Sequence, residues 1–253
     1  MTELTLPEVV AKTDPGRSRG HNEDYVGHRV ERRENGTFLA VFVVCDGMGG
    51  HPAGEVAAAI GATTILEAAF RLDAAPPRDR LRHAVLAANA AILQEGGRDP
   101  AKRGMGATCV AALLAGERLV IAHAGDCRGY LVSPTAIRRL TADHSWVGEQ
   151  VRAGLLTEWQ AQASPYRSVV TRALGLDPLL EPEVREERLG REEVLLLCSD
   201  GLWDVVNDDE MQAVIAAAPS LSAAADRLID LANERGGPDN ISVLLARQGA
   251  ASA

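Results

Sequence analysis

Long apolar runs are missing from this sequence: none approaches the ~20 residues that a membrane-spanning helix requires. The start, Met1-Thr2-Glu3-Leu4, has neither the basic residues nor the apolar stretch of a secretory signal. Positive charge is in deficit, with 26 Lys and Arg against 35 Asp and Glu and a formal net charge of −9. Bulk electrostatics therefore disfavour nucleic acid and anionic lipid as partners. Cysteine is sparse and has no CxxC pair; Cys45, Cys109, Cys127 and Cys198 are far apart, three of them in or ending the runs VFVVC, TCVAALLA and VLLLCSD. They read as buried reduced thiols acting as small hydrophobes. The six histidines show no HExxH or finger spacing, which excludes a recognisable zinc motif. Aromatics make up only 4% of the chain, yet the hydrophobic share of 46% is ordinary for a globular protein and excludes wholesale disorder. With 253 residues, one large domain or two small ones could bury a core. The expectation is a soluble, cytoplasmic protein, without nucleic-acid or membrane partners, carrying an excess of carboxylates.

Strand-like runs punctuated by Gly, Asp or Pro fall at Phe38–Cys45, Thr108–Ala115, Arg118–Ala124, Arg128–Val132, Val194–Cys198 and Ile241–Ala246. The break at Gly116-Glu117 makes a hairpin of the second and third, with a further strand after Gly125-Asp126. Strands so close together leave no room for helical crossovers, so the sheet is at least partly antiparallel. Helical periodicity covers Ala53–Phe70, with Val56, Ile60, Thr63, Leu66 and Phe70 on one face. It recurs over Arg80–Gln94 through Leu81, Val85, Ala88 and Ile92. Two further helices are predicted at Asp208–Ala217 and Ser222–Glu234, with Asp208 and Ser222 as N-caps. Grouped strands and grouped helices indicate an α+β fold. The polar stretch 145–168 has only weak periodicity and reads as a mobile surface insert. No repeat or linker divides the chain, which favours one domain over 1–253.

Four places set an acid beside Gly or Asn at the end of an apolar strand: Asn22-Glu23-Asp24, Cys45-Asp46-Gly47, Ser199-Asp200-Gly201 and Asp239-Asn240-Ile241. Any one of them is ordinary turn chemistry. If the strand ends converge, the carboxylates meet, and two of them 4 Å apart repel by ~4 kcal/mol at an effective dielectric near 20. Such a cluster takes up protons or binds cations, and oxygen ligands without Cys or His select magnesium or manganese. Two such ions sharing a carboxylate can activate a water for in-line phosphoryl displacement. Arg19 supplies a fork suited to a phosphate dianion. Metal, carboxylates and Arg together read as phosphate ester hydrolysis.

Competing motifs are incomplete. GMGGH (Gly47–His51) and GMGATC (Gly104–Cys109) complete neither GxGxxG nor a P-loop, and no GxSxG elbow is present. The run Asn207–Glu210 lacks the central Gly of a calcium loop and reads as a helix start. His51, His123 and His144 read as structural.

Eight segments in order then resemble one family, the metal-dependent serine/threonine protein phosphatases of the 2C type, in its bacterial branch. They are GRSRGHNED (Gly16–Asp24), CDGMGGH (Cys45–His51), GMGAT (Gly104–Thr108), GDCRGY (Gly125–Tyr130), LTADHS (Leu140–Ser145), TRALG (Thr171–Gly175), SDGLWD (Ser199–Asp204) and GGPDNIS (Gly236–Ser242). The resemblance implies a four-layer α-β-β-α sandwich, two antiparallel sheets flanked by helix pairs. It implies two Mn2+ or Mg2+ ions with a bridging water that attacks phosphorus directly. Asp46 would bridge them, the Gly47 carbonyl would bind one, and Asp200 and Asp239 would complete the other. Glu23, Asp24 and Asn240 would lie behind them or ligate weakly, and Arg19 would hold the substrate phosphate. The 145–168 insert falls at the family's flap. Phosphorylated proteins, a cognate Ser/Thr kinase and its substrates are the implied partners, and the chain is expected to be a monomer.

Two positions depart from the family pattern. Met48 stands where many eukaryotic members have a His proposed as general acid, which leaves that role unassigned. Arg103 stands where members with a third metal carry an Asp, with Asp99 the nearest carboxylate, so a third site is expected to be absent or altered. Two alternatives share these acids: a small-molecule phosphomonoesterase, and a non-catalytic phosphatase-like binding module.

Overall fold

The computed structural model describes residues 5–33, 36–49, 53–71 and 75–249. Its strands form two five-stranded antiparallel sheets. One runs β1 (Glu8–Asp14), β10 (Ile241–Arg247), β9 (Val194–Cys198), β6 (Arg128–Val132) and β7 (Ile137–Arg139). The other runs β2 (Asp24–Arg32), β3 (Phe38–Met48), β4 (Gly106–Ala115), β5 (Arg118–Ala124) and β8 (Glu183–Arg188).

Alternation along β3 explains the layering. Leu39, Val41, Val43 and Cys45 pack toward α1 (Ala53–Arg71) and α2 (Pro77–Arg98), while Phe38, Ala40, Phe42 and Val44 face Leu195, Leu197 and Leu244 of the other sheet. Side chains alternate between faces with period two, so a strand covered on both sides reads as one continuous apolar run. On the far side Leu196, Val243 and Leu245 meet Met211 and Ile215 of α6 (Asp208–Ala217) and Leu228 of α7 (Leu221–Glu234). This is the four-layer sandwich, and all four cysteines are buried and free.

Several expectations are corrected. The core face of α1 is its small-residue face, Ala57, Ala58, Gly61, Ala62, Ile65 and Ala69. Val56, Ile60, Leu66 and Phe70 are only partly buried, and Thr63 is exposed. Small side chains win because the helix lies close on the sheet, where larger ones would force it away. Among the described residues α1 also has the length and apolar composition of a membrane span, which qualifies the expectation drawn from the missing apolar runs. Here it packs against β3 and α2. Arg128–Val132 is a strand, but it belongs to the other sheet from the β4–β5 hairpin. β1, β2, β7 and β8 were not legible, since the edge strands β1, β2 and β8 leave charged or polar residues exposed. The caps also shift: Asn207 caps α6 in a capping box with Glu210, and Ser220 caps α7. Within 145–168 lie two short helices, α3 (Trp146–Arg152) and α4 (Glu158–Gln162), capped by Ser145 and Thr157. Helices this short cannot display a face, hence the weak periodicity.

Candidate active site

One end of the sandwich collects the strand-end acids. Pairing of β2 with β3 sets Asp24 opposite Asp46, and β4 sets Thr108 on its other side. From the second sheet, Asp200 leaves β9 at the start of a single helical turn, α5 (Asp200–Trp203), and Asp239 lies just before β10. These two segments touch because residue 201 is glycine: a Cβ there would sit 2.0 Å from the Asn240 carbonyl oxygen. The convergence anticipated from four separate strand ends is therefore present.

The carboxylates repel one another in a poorly solvated place. Burial, then repulsion from Asp24 and Asp200, pushes Asp46 well above the usual carboxylate range. Asp200 rises for the same reason, with Asp126 as its strongest charged neighbour. Burial lifts Asp24 to about 7 although Ser199 donates to its Oδ2 at 2.7 Å. The Oδ1 atoms of Asp24 and Asp200 are buried without a hydrogen-bond partner. Buried acceptors of this kind require a partner, and a set of oxygen donors with surplus negative charge fits a hard divalent cation. On that chemistry the residues present suit manganese or magnesium.

The surrounding residues hold the acids in place. Asn240 uses its whole side chain on the loop that carries Glu23: its Oδ1 accepts the Glu23 N–H at 2.8 Å, and its Nδ2 donates to Pro15 O and His21 O at 2.9 Å each. It is a brace behind the cluster, and its amide is committed to protein groups. Gly47 N–H donates to Glu23 O at 3.2 Å, tying the end of β3 to the same loop. Arg19 reaches the site as expected, its Nη2 donating to Asp239 Oδ2 at 2.7 Å. Met48 is the last residue of β3 and partly buried, and Gly50 and His51 lie outside the described residues.

Asp126 was missed. It is buried, burial lifts it to about 6, its charge raises Asp46 and Asp200, and it lines the same cavity as Asp200. Its signal was available as Gly125-Asp126 between two apolar strands, but that segment was read as the break before a strand and as part of GDCRGY, with no role for its acid. A cavity of about 610 Å3 runs from Asp126 and Asp200 to the 145–168 segment, past Arg139, Arg152, Arg167 and Asp204. Beneath it Arg128 forms a bidentate pair with Asp143 at 2.6 and 3.0 Å, with its guanidinium 3.5 Å above the Trp203 ring. The insert therefore borders the acid cluster.

His123, His144 and Glu183 bring three ligand-type atoms within 4.8 Å of one another. The two rings, however, stack with centroids 4.5 Å apart and planes 14° apart. Lone pairs lie in the ring plane, so those of stacked rings run side by side and do not converge on one ion. Their ring nitrogens are engaged by the backbone: His123 Nε2 lies 2.9 Å from Ala142 O, and His144 Nδ1 accepts the Gly125 N–H.

Compared with known proteins, residues 31–241 match the family described as Protein phosphatase 2C. The serine/threonine phosphatase stp of Listeria monocytogenes is 38% identical over 242 residues, covering 94% of each chain. The crystal structure of the serine/threonine phosphatase Stp1 from Staphylococcus aureus is similar with a TM-score of 0.87 at 32% identity, over 99% of this chain and 98% of that one. The catalytic domain of PstP, solved in complex with two manganese ions, is similar with a TM-score of 0.80 at 34% identity, over 96% and 98%.

Proposed function

The chain belongs to the protein phosphatase 2C family, and from that premise we propose that it is a metal-dependent phosphatase that hydrolyses phosphoserine and phosphothreonine in proteins. The observation that carries this reading is the convergence of Asp24, Asp46, Asp126, Asp200 and Asp239 from both sheets, with buried oxygens left unpartnered.

Asp46, the Gly47 carbonyl, Asp200 and Asp239 would hold two Mn2+ or Mg2+ ions, with Glu23 and Asp24 behind them. When bound, the ions supply charge neutralisation at the phosphoryl oxygens and acidify the attacking water. Arg19 orients the phosphate through its fork and offsets the charge that develops on the equatorial oxygens. Its bond to Asp239 sets a half-exposed guanidinium beside the acid cluster. Met48 has no proton to give the leaving alkoxide. The 145–168 flap, with Trp146, Trp159 and Tyr166 exposed, borders the cavity where residues flanking the phosphate would lie.

The same reading covers the rest of the chain's role. It acts as one phosphatase domain over 1–253, monomeric and cytoplasmic, on the substrates of a cognate Ser/Thr kinase and on that kinase. The third site on the Arg103 side is absent or altered: Asp99, the nearest carboxylate in sequence, already lies 3.6 Å from Lys102 Nζ and accepts the Ala101 N–H. An ion beside Asp99 in a manganese-soaked crystal would overturn that point.

Asp46→Asn and Asp200→Asn are each expected to lower turnover of a phosphopeptide in manganese by more than the ~10–100-fold typical of losing a partner behind a metal ligand. Near wild-type turnover in either variant would sink the proposal. Preference for a free phosphorylated metabolite over phosphoproteins would favour the monoesterase. Absence of any chelator-sensitive activity would favour the binding module.

A further inference from the structure

The turn that delivers Asp126 is built around one imidazole. Gly125 has φ +112°, and a Cβ there would lie 2.3 Å from Thr108 Cβ, directly across from Asp46 in the β3–β4 pairing. Both backbone polar groups of Gly125 are taken by the same residue. His144 N–H donates to Gly125 O at 2.9 Å, and Gly125 N–H donates to His144 Nδ1 at 3.3 Å. On the other side of Asp126, Trp203 Nε1–H donates to its carbonyl at 3.0 Å.

These contacts specify a tautomer. Because Nδ1 accepts from an amide, the ring proton must be on Nε2, which is buried without a hydrogen bond of its own and has Glu183 Oε2 3.5 Å away. Glu183 is held on β8 directly opposite His123 of β5. His123 in turn stacks on the His144 ring and is fixed by its own Nε2 bond to Ala142 O at 2.9 Å. An imidazolium would set an N–H against the Gly125 N–H. Burial, His123 and Arg172 keep the ring neutral by lowering its pKa to about 4.

We infer that His144 is a positioning residue for the acid cluster: in the Nε2–H tautomer its Nδ1 fixes the Gly125 amide, and Asp126 is thereby held with Asp200 on the wall of the cavity. The inference rests on the phosphatase reading only for the importance of that cluster. It treats His123, His144 and Glu183, which the reaction does not otherwise use, as a support running from the edge strand β8 to the site. Partners that orient groups at a metal site typically contribute 10–100-fold in metal affinity or activity.

Two measurements test it. The imidazole nitrogens of His144 in the magnesium-loaded protein, read by 15N NMR, are expected to report the Nε2–H tautomer; the Nδ1–H form or an imidazolium at pH 7 would overturn the inference. Calorimetric titration with manganese is then compared across variants. His144→Asn places an amide oxygen near the Nδ1 position and is expected to bind within about threefold of wild type. His144→Gln and His144→Leu remove that acceptor and are expected to bind roughly 10–100-fold more weakly. Wild-type affinity in folded His144→Leu or His144→Gln, or equal loss in His144→Asn, overturns it. Neither readout uses turnover, so a protein with the expected tautomer and manganese series but no phosphatase activity would refute the functional reading alone.

Discussion

Asn240 shows how much a single side chain can fix without touching substrate. Its amide ties Pro15, His21 and Glu23 to the base of β10, and its carbonyl oxygen lies against Gly201. Glycine at 201 is required by that second contact, because a Cβ would meet backbone, which has little freedom to move. Gly201→Ala is expected to destabilise the protein by about 1–3 kcal/mol, the usual range for overpacking. It should also weaken manganese binding, because Asp200 is displaced. Thermal denaturation and calorimetry check the two effects separately; an unchanged Tm would show that the segments can part without cost. At this scale Asp46, Asp200 and Asp239 were legible from strand-end placement. Asp126 was not, because an Asp after Gly between two strands has the same spelling whether it makes a turn or faces other acids.

At the scale of elements, α1 tests the difference between a hydrophobic pattern and a packing surface. Its bulkier residues Val56, Ile60, Leu66 and Phe70 trace one stripe, but the buried face is the alanine and glycine face. Ala62→Leu is expected to cost about 1–3 kcal/mol, whereas Thr63→Ala, on the exposed side, should stay within about 0.5 kcal/mol. Chemical denaturation measures both, and equal effects would refute the face assignment. The root of the flap depends on a different interaction. Arg128 and Asp143 are only 13% and 12% exposed, so removing one partner leaves the other charge desolvated. Asp143→Ala is expected to destabilise by about 3–5 kcal/mol, and Arg128→Met combined with Asp143→Leu by less. If the double variant loses as much as the single one, the pair itself is stabilising and the stranded-charge argument is wrong. Periodicity found the long helices but not α3 and α4, which are too short to repeat a face, nor the edge strands, whose exposed residues are polar.

For the whole molecule, the acid cluster links stability to pH and to cations. In the metal-free protein Asp24 titrates at about 7, and Asp46 and Asp200 also lie above their ordinary range. The same acids in the unfolded chain stay ionised until about pH 4. As pH falls from about 8.5 to 6.5, the folded state therefore gains protons that the unfolded state does not, and stability rises. Below about 6.5 the buried His123 and His144, whose pKa values are lowered, oppose the trend, because the unfolded chain then takes up the protons. The Tm of chelator-treated protein should thus increase on going from pH 8.5 to 6.5, and saturating manganese should remove that slope. Manganese at a hundred times its Kd should add about 2.7 kcal/mol at constant pH. A metal-free Tm that is flat or falls over this window would contradict the clustering of ionised acids.

Sequence by itself determined the parts that depend on local chemistry. Apolar runs defined the central strands, 3.6-residue periodicity located the long helices, strand-end acids indicated the reaction class, and the order of eight short motifs indicated the family. Tertiary structure alone decided which face of α1 is buried, that Arg128–Val132 crosses to the second sheet, and that Asp126 joins the acids. It also decided that His123 and His144 stack on one another. The physical reason is common to these cases. Propensity and periodicity are properties of neighbours along the chain, whereas burial, close approach and electrostatic repulsion depend on residues brought together from more than two hundred positions away, as Pro15 and Asn240 are, 225 residues apart.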